Sequence, residues 1–381
     1  MKFQCTRSQL AEALSPVLSV VPAKSTLPIL SHVHLEADQA KKRLKLAATD
    51  LDLSLSAEFE VSVDKSGAIT VPARTLAELV RELPEGKIAF EVIGGRLELR
   101  FAHGHHIIAG TPAEEYPGLP EINLKKAIRM PAGDLLRMIK KTIFAVSRDE
   151  TRPALNGVLW ETHGDSMVMV ATDGHRMAKI ERPNTKLSGQ GGDLIIPPKI
   201  LDMVVKYAKE DQEIGVVFGE SHVIFDLGRM VLASRLIEGP YPNYRQVIPA
   251  DASKNLTVKT GDLFGTVRRV SILSNSLTHQ VRFSFKQGGV ELRSANADLG
   301  AEAKESLDGE YKGDPMDAGY NANYMLDILK QMDTPRVRLD LNSNASAAVM
   351  RPEVEPDAQS DAQGEKAEDY LCLIMPLRLS D

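Results

Sequence analysis

Apolar residues recur three and four positions apart near the start of each third of the chain. Leu10, Leu14 and Val17 follow Ser8; Leu135, Ile139, Ile143 and Val146 follow Asp134; Leu263, Val267 and Val270 follow Asp262. Each spacing predicts an amphipathic helix with a capping residue in front of it. A second set of helices is predicted from Leu76, Leu79, Val80 and Leu83, from Leu201, Val204, Val205 and Ala208, and from Met325, Leu326, Leu329 and Met332. The first two of these follow Pro72 and Pro197, and a proline at or near the first turn of a helix forfeits no hydrogen bond. Between helices the text reads as short strands broken at glycine turns, as in residues 88–101 and 214–228, which predicts β-hairpins.

The three thirds are versions of one text. TLPILSHV at 26–33 is echoed by RPALNGVL at 152–159 and more faintly by SLTHQVRF at 276–283. ATDLDL at 48–53 answers ATDGHRM at 171–177 and SANADLG at 294–300; TVPARTLAELV at 70–80 answers IIPPKILDMVV at 195–205 and GYNANYMLDIL at 319–329. Pro72 and Pro197 stand 125 positions apart, as do Tyr116 and Tyr241. Markers in constant order predict three tandem domains, 1–127, 128–253 and 254–381, each long enough to bury a core. Two helices and a run of strands per copy predict an α+β domain with antiparallel sheet. Residues 351–369, rich in proline, acid and small polar residues, cannot bury enough apolar area to offset chain entropy. They predict a mobile acidic hairpin loop between strands at 346–350 and 370–375.

Composition narrows the class. With 43% hydrophobic and 26% charged residues the chain reads as ordinary soluble globular protein. Its first residues lack the apolar core of a signal peptide, and no stretch has the length of a membrane-spanning helix, so the expected compartment is the cytoplasm. Cys5 and Cys372 are the only cysteines. They predict two buried thiols and neither a disulfide framework nor a cysteine metal site. The net charge of −6 argues against a nonspecific polycation but leaves room for local basic surfaces.

Such surfaces are predicted on the helices. Arg137, Lys140 and Lys141 share one stripe; Lys199, Lys206 and Lys209 mark the next helix, Arg74 and Arg81 its counterpart in the first copy, and Arg268 and Arg269 the first helix of the third. On one helix a basic stripe is an ordinary solvated face. Its repetition in related positions predicts a phosphate-binding track without base-reading residues, and so sequence-independent contact with a nucleic-acid backbone.

TLPIL, VPAR, ATDGHR, LNG, YPNYRQVIP, ILSNS and the C-terminal MPLRL together resemble the β subunit of bacterial DNA polymerase III, the replicative sliding clamp, over the whole chain. The resemblance implies three similar domains per subunit, helices lining the inside and antiparallel sheets outside, and two subunits closed head to tail around duplex DNA. It implies a processivity factor without catalysis or cofactor, and it adds Lys24 to the DNA-facing set. A pocket for short apolar peptides of polymerase, clamp loader and repair proteins is carried over onto Leu155, Thr172, Gly174, His175, Arg176, Met177, Pro242, Val247, Leu373, Met375, Pro376, Leu377 and Arg378. There the apolar residues make a cleft, and His175 and Arg176 give it a polar edge. Gln246, in place of a basic residue, and the extension Ser380 and Asp381 depart from the family pattern.

For ring closure the resemblance implies that a strand around His103, His105 and Ile108 meets Ile272 and Leu273 of a second subunit, with Asp298 and Glu302 nearby. Histidines there would make closure pH-sensitive. HGHH at 103–106 also invites a metal reading, but alternation puts His103 and His105 on one face of a strand and His106 on the other, so no metal site is predicted. Two alternatives stand beside the clamp. One is a hydrolase using Asp173, His175 and Arg176, although the chain has no nucleophile elbow, P-loop, dinucleotide fingerprint or H-E-x-x-H pair. The other is a repeat scaffold that binds proteins but no DNA.

Overall fold

The computed structural model describes residues 1–118, 123–163, 166–183, 192–297, 300–353 and 368–379. Among these residues there are six α-helices: α1 (Arg7–Leu18), α2 (Ala73–Glu82), α3 (Ala132–Thr142), α4 (Pro198–Tyr207), α5 (Thr260–Ser271) and α6 (Ala322–Leu329). They are the predicted helices, two per copy. The starts differ by two or three residues. Thr6 rather than Ser8 caps α1, accepting from Gln9 N at 3.2 Å while the Gln9 side chain accepts from Thr6 N at 3.0 Å. This reciprocal capping box satisfies two orphan donors, which a serine inside the first turn cannot do. Asp134 and Asp262 likewise lie within the first turns of α3 and α5 rather than before them, where their charge complements the helix dipole.

The chain forms two compact units, and these cut across the repeats: residues 1–135 with 199–236, and residues 136–198 with 237–381. The first unit holds two antiparallel sheets. One has five strands in the order Ser62–Lys65, Lys2–Thr6, Lys87–Ile93, Arg96–Phe101, Gly104–Ala109. The Gly94 and Gly95 turn has φ of +58° and +75°, a two-residue hairpin that glycine enters without strain. The other sheet has eight strands, in which Met230–Arg235 of the middle copy pairs with Leu53–Glu60 of the first. Phe3 stacks on Phe90 at 4.7 Å in the core, with Leu10 and Leu14 of α1 and Leu76 and Val80 of α2 fully buried.

The second unit repeats the plan. Its nine-stranded sheet joins the middle and third copies through Arg176–Arg182 against Asp369–Ile374, and its four-stranded sheet runs Ala301–Asp308, Gly289–Asn296, Gln280–Lys286, Met316–Asn321. Trp160, Phe283, Phe285 and Tyr320 are fully buried. The acidic hairpin is present as two paired strands, Ala348–Glu353 and Asp369–Ile374. Its predicted loop lies outside the described residues over 354–367. Both cysteines are free and buried, and burial pushes each thiol up to about 12, so neither is a nucleophile at neutral pH.

Candidate functional site

The ATDGHR segment folds into a turn because its polar side chains close on its own backbone. Thr172 Oγ1 donates to the Arg176 carbonyl at 2.7 Å and accepts from Gly174 N at 3.1 Å. Asp173 Oδ1 accepts from His175 N and Arg176 N at 2.8 and 2.9 Å. Gly174 sits at φ +88°, where a side chain is strained. The turn thus presents His175 outward and sends Met177 into the core, where it is 2% exposed.

Arg176, expected with His175 to form a polar edge, is held by partners within the chain. Its side chain is 11% exposed and fully engaged. It reaches Asp173 at 3.2 Å, Asp327 at 2.7 Å and the Phe144 carbonyl at 2.7 Å, and its guanidinium lies 4.5 Å from the Tyr324 ring. The His175 ring stacks on the same tyrosine at 6.3 Å. Arg176 therefore mounts α6 against the turn, and Tyr324 and Asp327 are site residues that sequence reasoning missed. The marker GYNANYMLDIL contains both, but nothing in it points at residues 150 positions upstream.

Strand Asp369–Ile374 completes the arrangement. It pairs with the strand that begins at Arg176, and the tail beyond it is pinned on two sides. Met375 N donates to the His175 carbonyl and Leu377 N to the Gly319 carbonyl, each at 2.8 Å. The tail runs close over Gly319, where a Cβ would stand 2.6 Å from the flexible end of Gln280, at Nε2, and 3.1 Å from the Leu377 carbonyl oxygen. Leu155, Met177 and Leu373 are buried at 2–6% exposure, the latter two in a cluster with Leu159, Val170 and Tyr244. Val247 and Met375 stand 55% and 43% exposed, Pro242 and Arg378 are exposed, and Pro376 and Leu377 are half-buried. Tyr241 and Ile248, packed partly buried against the cluster, join them. Of the apolar residues expected in the pocket, Leu155, Met177 and Leu373 are thus buried, while Pro242, Val247 and Met375 are exposed. Two clefts of about 540 and 700 Å³ lie elsewhere and include none of these residues.

The predicted basic residues divide into two groups. Lys24, Arg74, Arg81, Lys206, Lys209 and Arg268 are exposed and make no ion pair among the described residues; Lys140 is also exposed. Others are neutralised within the chain. Lys199 pairs with Asp50 and Arg269 with Glu305, both at 2.6 Å. Arg137 pairs with Asp333 and Glu368 at 2.7 and 2.8 Å. Lys141 corrects the predicted stripe outright: it is 5% exposed and meets Asp333 at 3.1 Å, because its side of α3 packs against the third copy.

Among the expected ring-closing residues, His105 and Ile108 lie on one edge strand and Glu302 on another, while Ile272 and Leu273 follow α5. Gly104–Ala109 ends the five-stranded sheet and Ala301–Asp308 ends the four-stranded sheet, each having one side without a strand neighbour among the described residues. His103 lies in the turn before the first edge, and His103 and His105 are exposed. Ile108 is a correction: it is 8% exposed and points into the core, while its neighbour Ile107 is 54% exposed. On the other side Ile272 is 73% exposed, Leu273 is half-buried and Glu302 faces outward. Asp298, Ser380 and Asp381 lie outside the described residues.

Comparison with known proteins assigns this arrangement. The family profiles of the DNA polymerase III beta subunit match in order: the N-terminal domain at residues 1–120, the central domain at 129–243 and the C-terminal domain at 245–363. The beta sliding clamp of Caulobacter vibrioides is 33% identical over 365 residues, covering 93% of this chain and 97% of its own. That of Synechococcus elongatus is 31% identical, covering 92% and 96%. The C. crescentus beta sliding clamp structure superposes over both whole chains with a TM-score of 0.91 at 32% identity. A Pseudomonas aeruginosa sliding clamp bound to griselimycin does so with a TM-score of 0.90 at 29%. The chain belongs to the DNA polymerase III beta-subunit family, the sliding clamps, which are non-catalytic processivity factors.

Proposed function

We propose that this chain closes head to tail with a second copy into a ring around duplex DNA and offers the groove beside His175 to short apolar peptides of the polymerase, the clamp loader and repair proteins. The observation that carries the ring is the pair of open sheet edges. An exposed edge is a row of unpaired donors and acceptors that soluble proteins normally cover. Two different edges on one chain suit a heterologous contact, and two such contacts close a ring. Ile107 on one edge and Ile272 beside the other supply apolar surface to bury there.

Inside such a ring the exposed cations Lys24, Arg74, Arg81, Lys140, Lys206, Lys209 and Arg268 hold phosphates weakly and without sequence preference. Retention is then topological. The groove acts as the tether: Val247 and Met375 are the rim, and Leu155, Met177 and Leu373 the floor that a peptide anchor reaches. No helix of the chain is long and apolar enough to cross a membrane among the described residues. A clamp that acts on chromosomal DNA does so in the cytoplasm, the compartment proposed for this chain. The test is to load the protein on circular DNA and then linearise it. Release on cutting is expected; equal retention on linear DNA with free ends overturns the ring.

A further inference from the structure

The ionic contacts of α3 converge on two points of the chain with a common property. The Arg137 guanidinium grips Glu368 as a fork, Nε to Oε2 at 2.8 Å and Nη2 to Oε1 at 3.0 Å, and its remaining nitrogen reaches Asp333 Oδ2 at 2.7 Å. Lys141 meets the same Asp333, donates to the Gln331 carbonyl and lies 4.8 Å over the Tyr370 ring, whose hydroxyl donates back to the Lys141 carbonyl. Gln331 and Asp333 come directly after α6, and Glu368 directly before strand Asp369–Ile374. These two elements flank the turn that the proposed groove adjoins: α6 stacks Tyr324 on His175, and the strand carries Leu373 and leads into Met375. Arg176 fixes α6 from within, through Tyr324 and Asp327. Arg137 fixes the exit of the helix and the entry of the strand to one guanidinium. A planar fork holds a carboxylate in one orientation, and a strand carries that placement along its length at about 3.3 Å per residue.

We propose that Arg137 is a positioning residue for the partner groove: held by Glu368 and Asp333, it sets the spacing between the Tyr324 wall and the Leu373–Met375 wall without touching a bound peptide. The proposal rests on reading the groove as the partner site. It assigns Arg137 to peptide recognition rather than to DNA.

The test reads the Tyr324 ring and a peptide side by side. Fluorotyrosine is incorporated and the Tyr324 resonance assigned by its loss in Tyr324→Phe. The peptide is a fluorescein-labelled apolar segment from the replicative polymerase of the same organism. Arg137→Gln, folded by circular dichroism, is expected to shift the Tyr324 resonance and weaken the peptide about tenfold, an ordinary size for coupling between separate sites. Arg137→Lys, which keeps the charge but not the fork, recovers part of both. Glu368→Gln shows the same changes and adds little to Arg137→Gln, because the two cut one link. An unmoved Tyr324 resonance with peptide affinity within twofold of wild type overturns the proposal. If Arg137→Gln does not fold, Glu368→Gln, which leaves the Asp333 pair intact, decides by the same readings. A wild-type protein that ignores the peptide refutes the groove reading, while the Tyr324 resonance still decides whether Arg137 positions that wall.

Discussion

Leu51 and Gly174 occupy the same place in two copies of one turn, at φ of +82° and +88°. The match extends to the hydrogen bonds that close the turn. Leu51 N donates to Thr49 Oγ1 as Gly174 N does to Thr172 Oγ1, and Asp50 Oδ1 accepts from Asp52 N and Leu53 N as Asp173 Oδ1 does from His175 N and Arg176 N. Arg235 N reaches the Asp52 carbonyl at 2.8 Å, as Met375 N reaches that of His175. A leucine in the left-handed region costs roughly 1–2 kcal/mol. Glycine returns about 0.5–1 kcal/mol of that through its freer unfolded chain. Leu51→Gly is therefore expected to gain about 0.5–1 kcal/mol, read as a higher urea midpoint with unchanged slope. A lower midpoint would show that the exposed leucine makes a contact worth more than its strain.

Truncating Met375 and Leu377 to alanine removes apolar surface that a docked peptide would cover, each buried side chain being worth roughly 1.5–3 kcal/mol. Peptide affinity should fall by more than about tenfold in fluorescence titrations, while retention on circular DNA stays as in wild type. Parallel loss of both in a folded variant would mean that the tail is structural.

Ring closure is addressed from either edge. Ile272→Asp with Leu273→Asp buries unpaired charge in the proposed interface, as does Ile107→Asp on the other side, and both should sediment as folded monomers. Ile108→Asp is the contrast: its side chain faces the core, so destabilisation by several kcal/mol is expected rather than a simple monomer. Dimer mass unchanged in the first two variants would exclude these edges from the contact.

The two classes of basic residue predict different losses. Arg74→Gln, Arg81→Gln or Arg268→Gln should each lower the slope of log affinity against log salt by about 0.9 where one phosphate contact disappears. Lys141→Gln should leave that slope alone and lower stability, because Asp333 loses a partner. An unchanged melting temperature for Lys141→Gln would show the pair to be idle.

Acid should loosen the same network. Burial raises the Asp333 carboxyl, but hydrogen bonds from Arg137 and Lys141 outweigh it and hold the group below the ordinary carboxylate range. Its contribution is therefore present above about pH 4 and is lost as pH falls through the lowered value. Asp333→Asn should flatten the fall in melting temperature between neutral pH and about pH 3. Identical pH profiles for the two proteins would place the acid sensitivity elsewhere.

What the sequence made legible was local. Helices, hairpins and the threefold repeat follow from spacings of a few residues and from three echoes of one text, and the structure has them with helix starts shifted by two or three residues, at α1 because a threonine outcompeted a serine as cap. The side of a charged helix that meets another copy was not legible. Lys141 looks like any solvated lysine until Asp333, 192 positions later, is folded against it. Strand phase was hidden too: Ile107 and Ile108 are the same residue type, and only the pairing of Leu97 with Ile108 decides which one is inside. The partners of Arg176 on α6, Tyr324 and Asp327, were hidden for the same reason, since they belong to another copy of the text.

The sharing of sheets between copies sets a schedule for synthesis. Leu53–Glu60 finds its partner only when Met230–Arg235 has been made, with Ser56 opposite Val231, 175 residues downstream. At bacterial translation rates that interval is roughly 9 to 35 seconds, during which a nascent apolar strand has one open side. The wait recurs for Arg176–Arg182, which needs Asp369–Ile374 near the end of the message. A ribosome that stalls late in this reading frame leaves behind a polypeptide with an adhesive edge, so slow codons between residues 236 and 374 should favour aggregation in the growing cell.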